Sequence, residues 1–129
     1  MSINDYLTEL ESLIGTSSIV GSYNLNIDRK TEEIVFVSGR LDFKDGSTLD
    51  FKEFVEETNA GLIKLKYGYN YRVGSKVLFR YDNAADPRAK ALASFPHHKH
   101  LETGEIVDSY EMNLSGVLTE IEHLIIKKS

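Results

Sequence analysis

The strongest constraint on the fold lies in residues 62–73, where apolar and polar positions alternate without a break. The apolar series comprises Ile63, Leu65, Tyr67, Tyr69, Tyr71 and Val73, and the other series comprises Lys64, Lys66, Gly68, Asn70 and Arg72. A period of two places neighbouring side chains on opposite faces of a β-strand. The segment therefore predicts a strand with one face on a core and the other in water, as is typical of antiparallel sheets.

Further strand signals flank this segment. Val20–Asp28 and Glu33–Phe43 alternate, although Ile34 and Phe36 blur the second pattern, and Asp45-Gly46 is a two-residue hairpin signal. The alternation continues at Leu49 and Phe51 and, after Gly74-Ser75, at Val77, Phe79 and Tyr81. Residues 52–59 are compatible with either a continued strand or a helical turn.

Two amphipathic helices are predicted at the ends of the chain. Ser2 and Asp5 form a capping box before an apolar stripe that Gly15 ends, and Asn113 or Ser115 caps a second stripe that runs from Leu114. The fold class predicted is α+β: a single domain over residues 1–129, with an antiparallel meander of about five strands packed on one face by the two helices. Residues 88–93 suit a short helix in the connecting region.

Composition excludes several classes of function. The chain of 129 residues contains no cysteine, which removes disulfides, thiolate catalysis and iron–sulfur clusters. No apolar run reaches the length of a membrane span, and the N-terminus lacks the basic and apolar regions of a signal peptide, so we expect a cytoplasmic protein without a membrane partner. The net charge of −5 argues against indiscriminate nucleic-acid binding.

The predicted solvent face of the sheet is nevertheless basic. It collects Arg40, Lys44, Lys52, Lys64, Lys66, Arg72, Lys76 and Arg80, opposed chiefly by Asp42 and Asp50. Such a face suits a phosphate backbone; the alternative is a strand face kept soluble by its charges. We assign RNA binding to Arg40, Lys64, Lys66, Arg72 and Lys76, with Tyr81 and Asn83 at a strand end. The remaining tyrosines of the alternating segment belong to the core.

The motif Phe95-Pro96-His97-His98-Lys99-His100 concentrates three of the four histidines, and Arg80, Asp82 and Asn83 precede it. Histidines can transfer protons in RNA cleavage near neutral pH, while Arg80 and Lys99 can stabilise phosphate charge. The candidate catalytic residues are Arg80, Asp82, His97, His98, Lys99 and His100.

Two backbone conformations of this motif stay open. In an extended chain His98 and His100 share a face, whereas a helical turn after Pro96 would pair His97 with His100. No cofactor is required by the first chemistry; the alternative is a divalent metal bound by His98, His100 and Asp82. The structural alternative is a polar corner in which these side chains only bond backbone groups.

These motifs, in this order, resemble the TumE family of small prokaryotic toxins. The resemblance rests on Leu41-Asp42-Phe43 before Asp45-Gly46-Ser47, the tyrosine-rich Lys66–Tyr71, Phe79-Arg80-Tyr81-Asp82-Asn83-Ala84 and Phe95–His100, and it covers roughly residues 41–107. It implies the toxin of a type II toxin–antitoxin system, silenced by a cognate antitoxin that is usually a DNA-binding protein.

Three functional hypotheses follow. The first is a toxin that acts as a metal-independent endoribonuclease, with His98 and His100 as acid and base and Asp82 orienting a histidine. The second is a hydrolase with a metal bound by histidine and aspartate. The third is a non-catalytic module that binds nucleic acid or protein through the basic face. Self-association stays open.

Overall fold

The computed structural model describes residues 1–128. Its two helices are α1 (Ile3–Gly15) and α2 (Leu114–Lys128). Its strands are β1 (Val20–Arg29), β2 (Ile34–Phe43), β3 (Thr48–Thr58), β4 (Gly61–Val73), β5 (Lys76–Asp82), β6 (His98–Leu101) and β7 (Ile106–Asp108). A single turn of 3₁₀ helix, Pro87–Ala89, lies between β5 and β6, where the sequence predicted a short helix.

The strands form one antiparallel meander in the order β1 to β7, each hydrogen-bonded to the next. The predicted α+β class and meander are therefore confirmed, with seven strands in place of about five. The ambiguous residues 52–58 continue β3. The two additional strands, β6 and β7, have only four and three residues, too few to show a period of two.

Both helices pack against one face of the sheet, here called the helix face, and form the core with it. Its buried residues include Ile3, Leu10 and Ile14 of α1, Leu114, Val117, Leu118 and Ile121 of α2, and Val35, Val37, Leu41, Leu49, Phe51, Tyr67, Tyr69, Tyr71, Phe79 and Tyr81 of the strands. The tyrosines of β4 are core residues, as the alternation predicted. The opposite face, here called the open face, carries the candidate site.

The predicted local signals are found in the structure. The Ser2 hydroxyl accepts from the Asp5 amide, and the Asp5 carboxylate accepts from the Ser2 amide, which satisfies two otherwise unpaired helix donors. Asn113 Oδ1 accepts from the Gly116 amide and caps α2. Gly46 has a φ of 90° in the hairpin between β2 and β3, a conformation that glycine adopts without steric cost.

A β-bulge changes the register of β4. The pairing of β3 with β4 shifts between Phe54 and Val55, so that Phe54 lies opposite Lys66 and Val55 lies opposite Lys64. The extra residue in β4 reverses the face that side chains occupy on the far side of the bulge. Lys64 therefore points to the helix face. Ile63 is 47% exposed and Leu65 is 41% exposed. The predicted positions of these three side chains are therefore wrong.

The inverted Lys64 joins a buried polar cluster. Glu53 is buried on the helix face, where its carboxylate accepts from the hydroxyls of Tyr6 and Tyr69. Lys64 Nζ lies 3.4 Å from Glu53 Oε2 and donates to the Met112 carbonyl at 2.8 Å. Burial, together with the Glu53 carboxylate, raises the pKa of both tyrosines. Lys64 therefore satisfies a buried carboxylate and is not placed to bind RNA.

Candidate active site

Antiparallel pairing of β5 with β6 assembles the candidate site on the open face. Arg80 lies opposite His100, and Asp82 lies opposite His98. Residues two apart on a strand point to the same side, so these four side chains share one face. The extended alternative for the histidine motif is thus the one observed. We call Arg80, Asp82, His98 and His100 the Asp82 centre.

The Asp82 carboxylate is the hub of this centre. Its Oδ2 accepts from Arg80 Nε at 2.8 Å and lies 3.3 Å from His100 Nε2. Its Oδ1 lies 3.0 Å from His98 Nε2 and accepts from the Ala84 amide at 3.0 Å. Asp82 is buried. A buried carboxylate is tolerated when cations and hydrogen bonds satisfy it, and here Arg80 and the Ala84 amide provide both.

The hydrogen bond of His98 Nδ1 determines what the other ring nitrogen can do. Nδ1 lies 2.8 Å from the Pro96 carbonyl oxygen, and because a carbonyl only accepts, Nδ1 must carry the proton. In the neutral ring Nε2 then has a bare lone pair, yet it lies 3.0 Å from Asp82 Oδ1 and 3.1 Å from His100 Nε2. A neutral His100 can donate an Nε2–H to this lone pair, but the contact with Asp82 Oδ1 becomes favourable only with a proton or another cation at His98 Nε2.

The three ligand atoms have the spacing that a small divalent cation requires. Asp82, His98 and His100 each offer one atom, and these atoms lie within 4.8 Å of one another. A cation with bonds of about 2.0–2.1 Å to nitrogen and oxygen holds neighbouring ligand atoms about 3 Å apart. A histidine ligand commonly donates its other ring N–H to a backbone carbonyl, as His98 does. The residues present fit a divalent metal.

Accessibility divides the centre into two parts. The His98 side chain is 0% exposed, whereas those of His100 and Arg80 are 23% and 35% exposed. Burial lowers the pKa of His100; the Asp82 carboxylate opposes this effect, and the neighbouring His98 ring and the guanidiniums of Arg80 and Arg88 add to it. A molecule approaching the open face therefore meets His100 and Arg80, with His98 and Asp82 behind them.

Gly68 provides the space in which Arg80 lies. It sits on β4 directly opposite Asp82 of β5 and Lys52 of β3. A Cβ at this position would lie 2.9 Å from Arg80 Nη2 and 3.4 Å from Lys52 Cε. The absence of a side chain therefore lets the guanidinium lie against the sheet. The alternation counted Gly68 among the polar positions but did not indicate this role.

Two of the predicted catalytic residues lie on the other side of the sheet. Lys99 points to the helix face, where Nζ donates to Glu120 Oε2 at 2.8 Å and lies 4.9 Å from the ring centroids of Phe79 and Tyr81. His97 precedes β6, stacks on Tyr67 and has Nδ1 2.8 Å from the tyrosine hydroxyl. Neither side chain joins the Asp82 centre.

Two predicted RNA-binding residues have structural partners instead. Tyr81 is buried on the helix face, and its hydroxyl donates to Glu120 at 2.5 Å. The Asn83 side chain accepts from the Tyr67 amide at 3.0 Å and donates to the Leu65 carbonyl at 3.1 Å. Asn83 therefore joins the end of β5 to β4, as a polar corner would.

Some of the other predicted RNA-binding cations form ion pairs with acidic side chains, and others do not. Arg40 and Arg72 both bind Asp50, through Nε at 3.0 Å and 2.6 Å respectively. Lys76 lies 3.4 Å from Glu102 at the end of β5. Lys66 is exposed on the open face, and within residues 1–128 neither it nor the neighbouring Lys52 has an ion pair. Lys66 and Lys52 are thus cations of the open face with charge to offer.

A groove of about 790 Å³ runs across the open face from β1 to the Asp82 centre. Its lining includes Asn24, Asn26, Ser38, Arg40, Asp50, Lys52, Asn70 and Arg80. Beside it, Phe36 and Phe54 lie opposite each other with ring centroids 6.2 Å apart. This aromatic pair was not among the predicted functional residues; the only sign of it in the sequence was that Phe36 interrupts the alternation of β2.

The fold and the centre define a small α+β protein with a carboxylate–histidine–arginine cluster on the uncovered face of its sheet. A family model described as Toxin TumE matches residues 10–125. The chain therefore belongs to the TumE toxin family, as its motifs indicated, and membership of a toxin family implies a cognate antitoxin. No curated protein and no solved structure matches the chain. Within residues 1–128 no helix is long and apolar enough to cross a membrane.

Proposed function

We propose that this toxin is an endoribonuclease that cleaves phosphodiester bonds of RNA at the Asp82 centre. The observation that supports this proposal best is the convergence of Asp82, His98 and His100 beside Arg80 at the end of an open groove. Such a group can bind a phosphate, stabilise its negative charge and activate an oxygen nucleophile. The groove crosses the sheet from β1 to Arg80, and Lys52, which has no ion pair within residues 1–128, lines it.

Arg80 is the phosphate-binding residue in this proposal. Its Nε is held by Asp82, while Nη2 lies over Gly68 toward the groove. A guanidinium fixed at one end presents its remaining N–H groups in a defined direction, which suits the equatorial oxygens of a phosphoryl group. Lys99, the other predicted phosphate ligand, lies across the sheet and has no such role.

The geometry favours the metal-dependent hypothesis over catalysis by two histidines. Acid–base catalysis requires each ring to come within hydrogen-bond reach of substrate, but His98 has no exposed surface and both its nitrogens are engaged. A divalent cation bound by Asp82, His98 and His100 would accept the otherwise repulsive lone pair of His98. When bound, it would polarise the phosphate and lower the pKa of a bound water or hydroxyl.

The partner and location follow as part of the same proposal. The antitoxin of such a pair would be a DNA-binding protein, and RNA in the cytoplasm would be the target. Self-association is not required, because the Asp82 centre is formed within one chain. The non-catalytic alternative, in which the open face only blocks a target, predicts tight RNA binding without any loss of intact RNA.

Incubation of the purified protein with total cellular RNA tests this proposal. Four reactions are compared: untreated protein, protein with EDTA, EDTA-treated protein with added Zn²⁺, Mn²⁺ or Mg²⁺, and the His100→Ala variant. His123→Ala is the matched control, because His123 is exposed on α2. Cleavage should be lost with EDTA and with His100→Ala, return with one of the metals, and persist in the control.

Each other outcome has a defined meaning. Cleavage that survives EDTA and disappears in His100→Ala would support metal-free catalysis and overturn the metal-dependent mechanism. RNA that stays intact with every metal, from a preparation shown to be toxic in cells, would overturn the ribonuclease proposal itself. Equal cleavage by His100→Ala and wild type would indicate a contaminating nuclease.

A further inference from the structure

An aromatic pair lies on the open face at positions where a solvated strand should carry polar side chains. Phe36 on β2 and Phe54 on β3 are direct cross-strand partners, with their rings tilted by 52°. Both are only partly buried, and neither belongs to the core on the helix face. Two phenyl rings on an uncovered sheet face lose hydrophobic stabilisation by remaining in water, which suggests a partner with flat apolar surfaces.

The surroundings of this pair are cationic. A second groove of about 520 Å³ is lined by Lys30, Phe36, Lys52, Phe54, Leu65 and Lys66. Lys30 forms an ion pair with the exposed Asp28, with Nζ 2.7 Å from Oδ2, whereas Lys52 and Lys66 form no ion pair within residues 1–128. No carboxylate is among the described residues that line the groove. Aromatic rings with free lysines beside them match a polyanion that also has flat rings.

Nucleic acid without base pairing has that chemistry. Its bases expose their faces and stack on aromatic side chains, while its phosphates bind the neighbouring lysines. In a duplex the base faces are already stacked on one another, so the same rings would gain nothing. An amphipathic protein segment would also cover the rings, but the cationic lining favours an anionic partner.

The aromatic pair is continuous with the Asp82 centre. Phe36 and Lys52 line both grooves, and Lys52 lies opposite Gly68, which in turn lies opposite Asp82. Phe54 and Asp82 are two strands and two residues apart, a separation of roughly 12 Å from strand spacing and rise. A short run of unpaired nucleotides can therefore contact both places at once.

We propose that Phe36 and Phe54, flanked by Lys52 and Lys66, form a stacking platform that selects single-stranded RNA and directs it to the Asp82 centre. The substrate assignment rests on the proposed ribonuclease function. Base stacking on the platform is a binding property, so it can be measured without cleavage. Sequence preference should be weak, because every base has a flat face.

Binding of a fluorescently labelled single-stranded RNA, and of the same strand in a duplex, tests the platform. Fluorescence anisotropy is measured in EDTA so that the metal-dependent reaction is suppressed. Phe36→Leu and Phe54→Leu keep apolar volume and remove the aromatic face. Tyr110→Leu is the matched control, because Tyr110 is 92% exposed away from the platform. A thermal melt of each variant establishes that it is folded.

Each phenylalanine variant should raise the Kd for single-stranded RNA about tenfold and leave duplex binding unchanged. Loss of the contact between the rings should lower the melting temperature by only a few degrees. Tyr110→Leu should bind as wild type. Lys66→Gln provides a second measurement, because loss of one phosphate contact should reduce the slope of log Kd against log salt concentration by about one.

Single-stranded binding that is unchanged in both phenylalanine variants would overturn the platform, as would wild-type protein that binds duplex as tightly as single strands. Variants that keep RNA binding but lose the antitoxin would also overturn it, in favour of a protein-docking role. Platform-dependent binding by a protein that cleaves no RNA with any metal would support the platform while refuting the ribonuclease. The two proposals therefore fail separately.

Discussion

Gly68→Ala is the substitution that most directly tests the geometry of the Asp82 centre. The new methyl group would lie 2.9 Å from Arg80 Nη2, whereas ordinary contacts begin at 3.4 Å. To restore an ordinary contact, the guanidinium would have to retreat by the difference, 0.5 Å. Arg80 can move because Nη2 is the far end of a flexible side chain, but its Nε is bonded to Asp82 Oδ2 at 2.8 Å. We expect the displaced guanidinium to lengthen that hydrogen bond.

The expected effect on catalysis is large and the expected effect on stability is small. A hydrogen bond to a charged group contributes about 1.5–3 kcal/mol, so misplacing Arg80 should lower kcat/KM about 10- to 100-fold. In the opposite direction, replacing a strand glycine by alanine reduces the entropy of the unfolded chain and stabilises by about 0.5–1 kcal/mol. The free energy of unfolding should change by less than about 1 kcal/mol.

The assay measures cleavage of a labelled single-stranded RNA together with urea unfolding of the same preparation. Gly15→Ala is the matched control, because its methyl group would meet no atom within 4 Å, and Arg80→Ala gives the full effect of losing the guanidinium. Cleavage by Gly68→Ala at the wild-type rate, when Arg80→Ala is inactive, would refute the claim that Gly68 sets the position of Arg80. A loss of several kcal/mol in stability would show that the backbone, and not Arg80, takes up the strain.

Three further predictions concern the rest of the fold. Glu53→Ala should lower the free energy of unfolding by about 3–5 kcal/mol, because it removes the acceptor of the Tyr6 and Tyr69 hydroxyls beside the partly buried Lys64; an unchanged urea midpoint would contradict this. Lys99→Met should cost about 1 kcal/mol and leave RNA cleavage intact, because Lys99 contacts Glu120 on the helix face; lost cleavage with normal stability would restore its predicted phosphate role. Burial raises the pKa of Tyr67 from 10.0 to about 12, so the folded state holds this proton more tightly than the unfolded chain. Its contribution is complete below pH 10.0 and disappears as the pH rises toward about 12. Urea unfolding across that range should show falling stability, with a shallower fall in Tyr67→Phe.

The helices, strands and turns that the sequence predicted are those whose signals lie within a few neighbouring residues. The alternation around Tyr67–Tyr71 identified the central strand, Asp45-Gly46 identified a hairpin, and Ser2 with Asp5 identified the start of α1. Each signal acts within a few residues, through side-chain periodicity, turn conformation or a single cap. The family resemblance was likewise contained in motif order, and the family match confirms it.

The sequence also supplied the candidate residues of the site, but it did not show which of them come together in the structure. Arg80, Asp82, His98 and His100 were among the candidates, together with Lys99 and His97. Which of them share a face depends on whether the chain is extended from His98 onward, and that depends on pairing with β5. Four residues of strand are too few to determine their own conformation.

The sequence by itself determined the class of fold, the two helices, the first five strands and the polar residues from which a site could be built. Only the tertiary structure decided which face each of them occupies. The bulge opposite Phe54 and Val55 placed Lys64 on the helix face and left Ile63 and Leu65 in water. The physical reason is that a side chain's face follows from the pairing of its strand, and one extra residue in a ladder reverses that assignment without changing the local pattern.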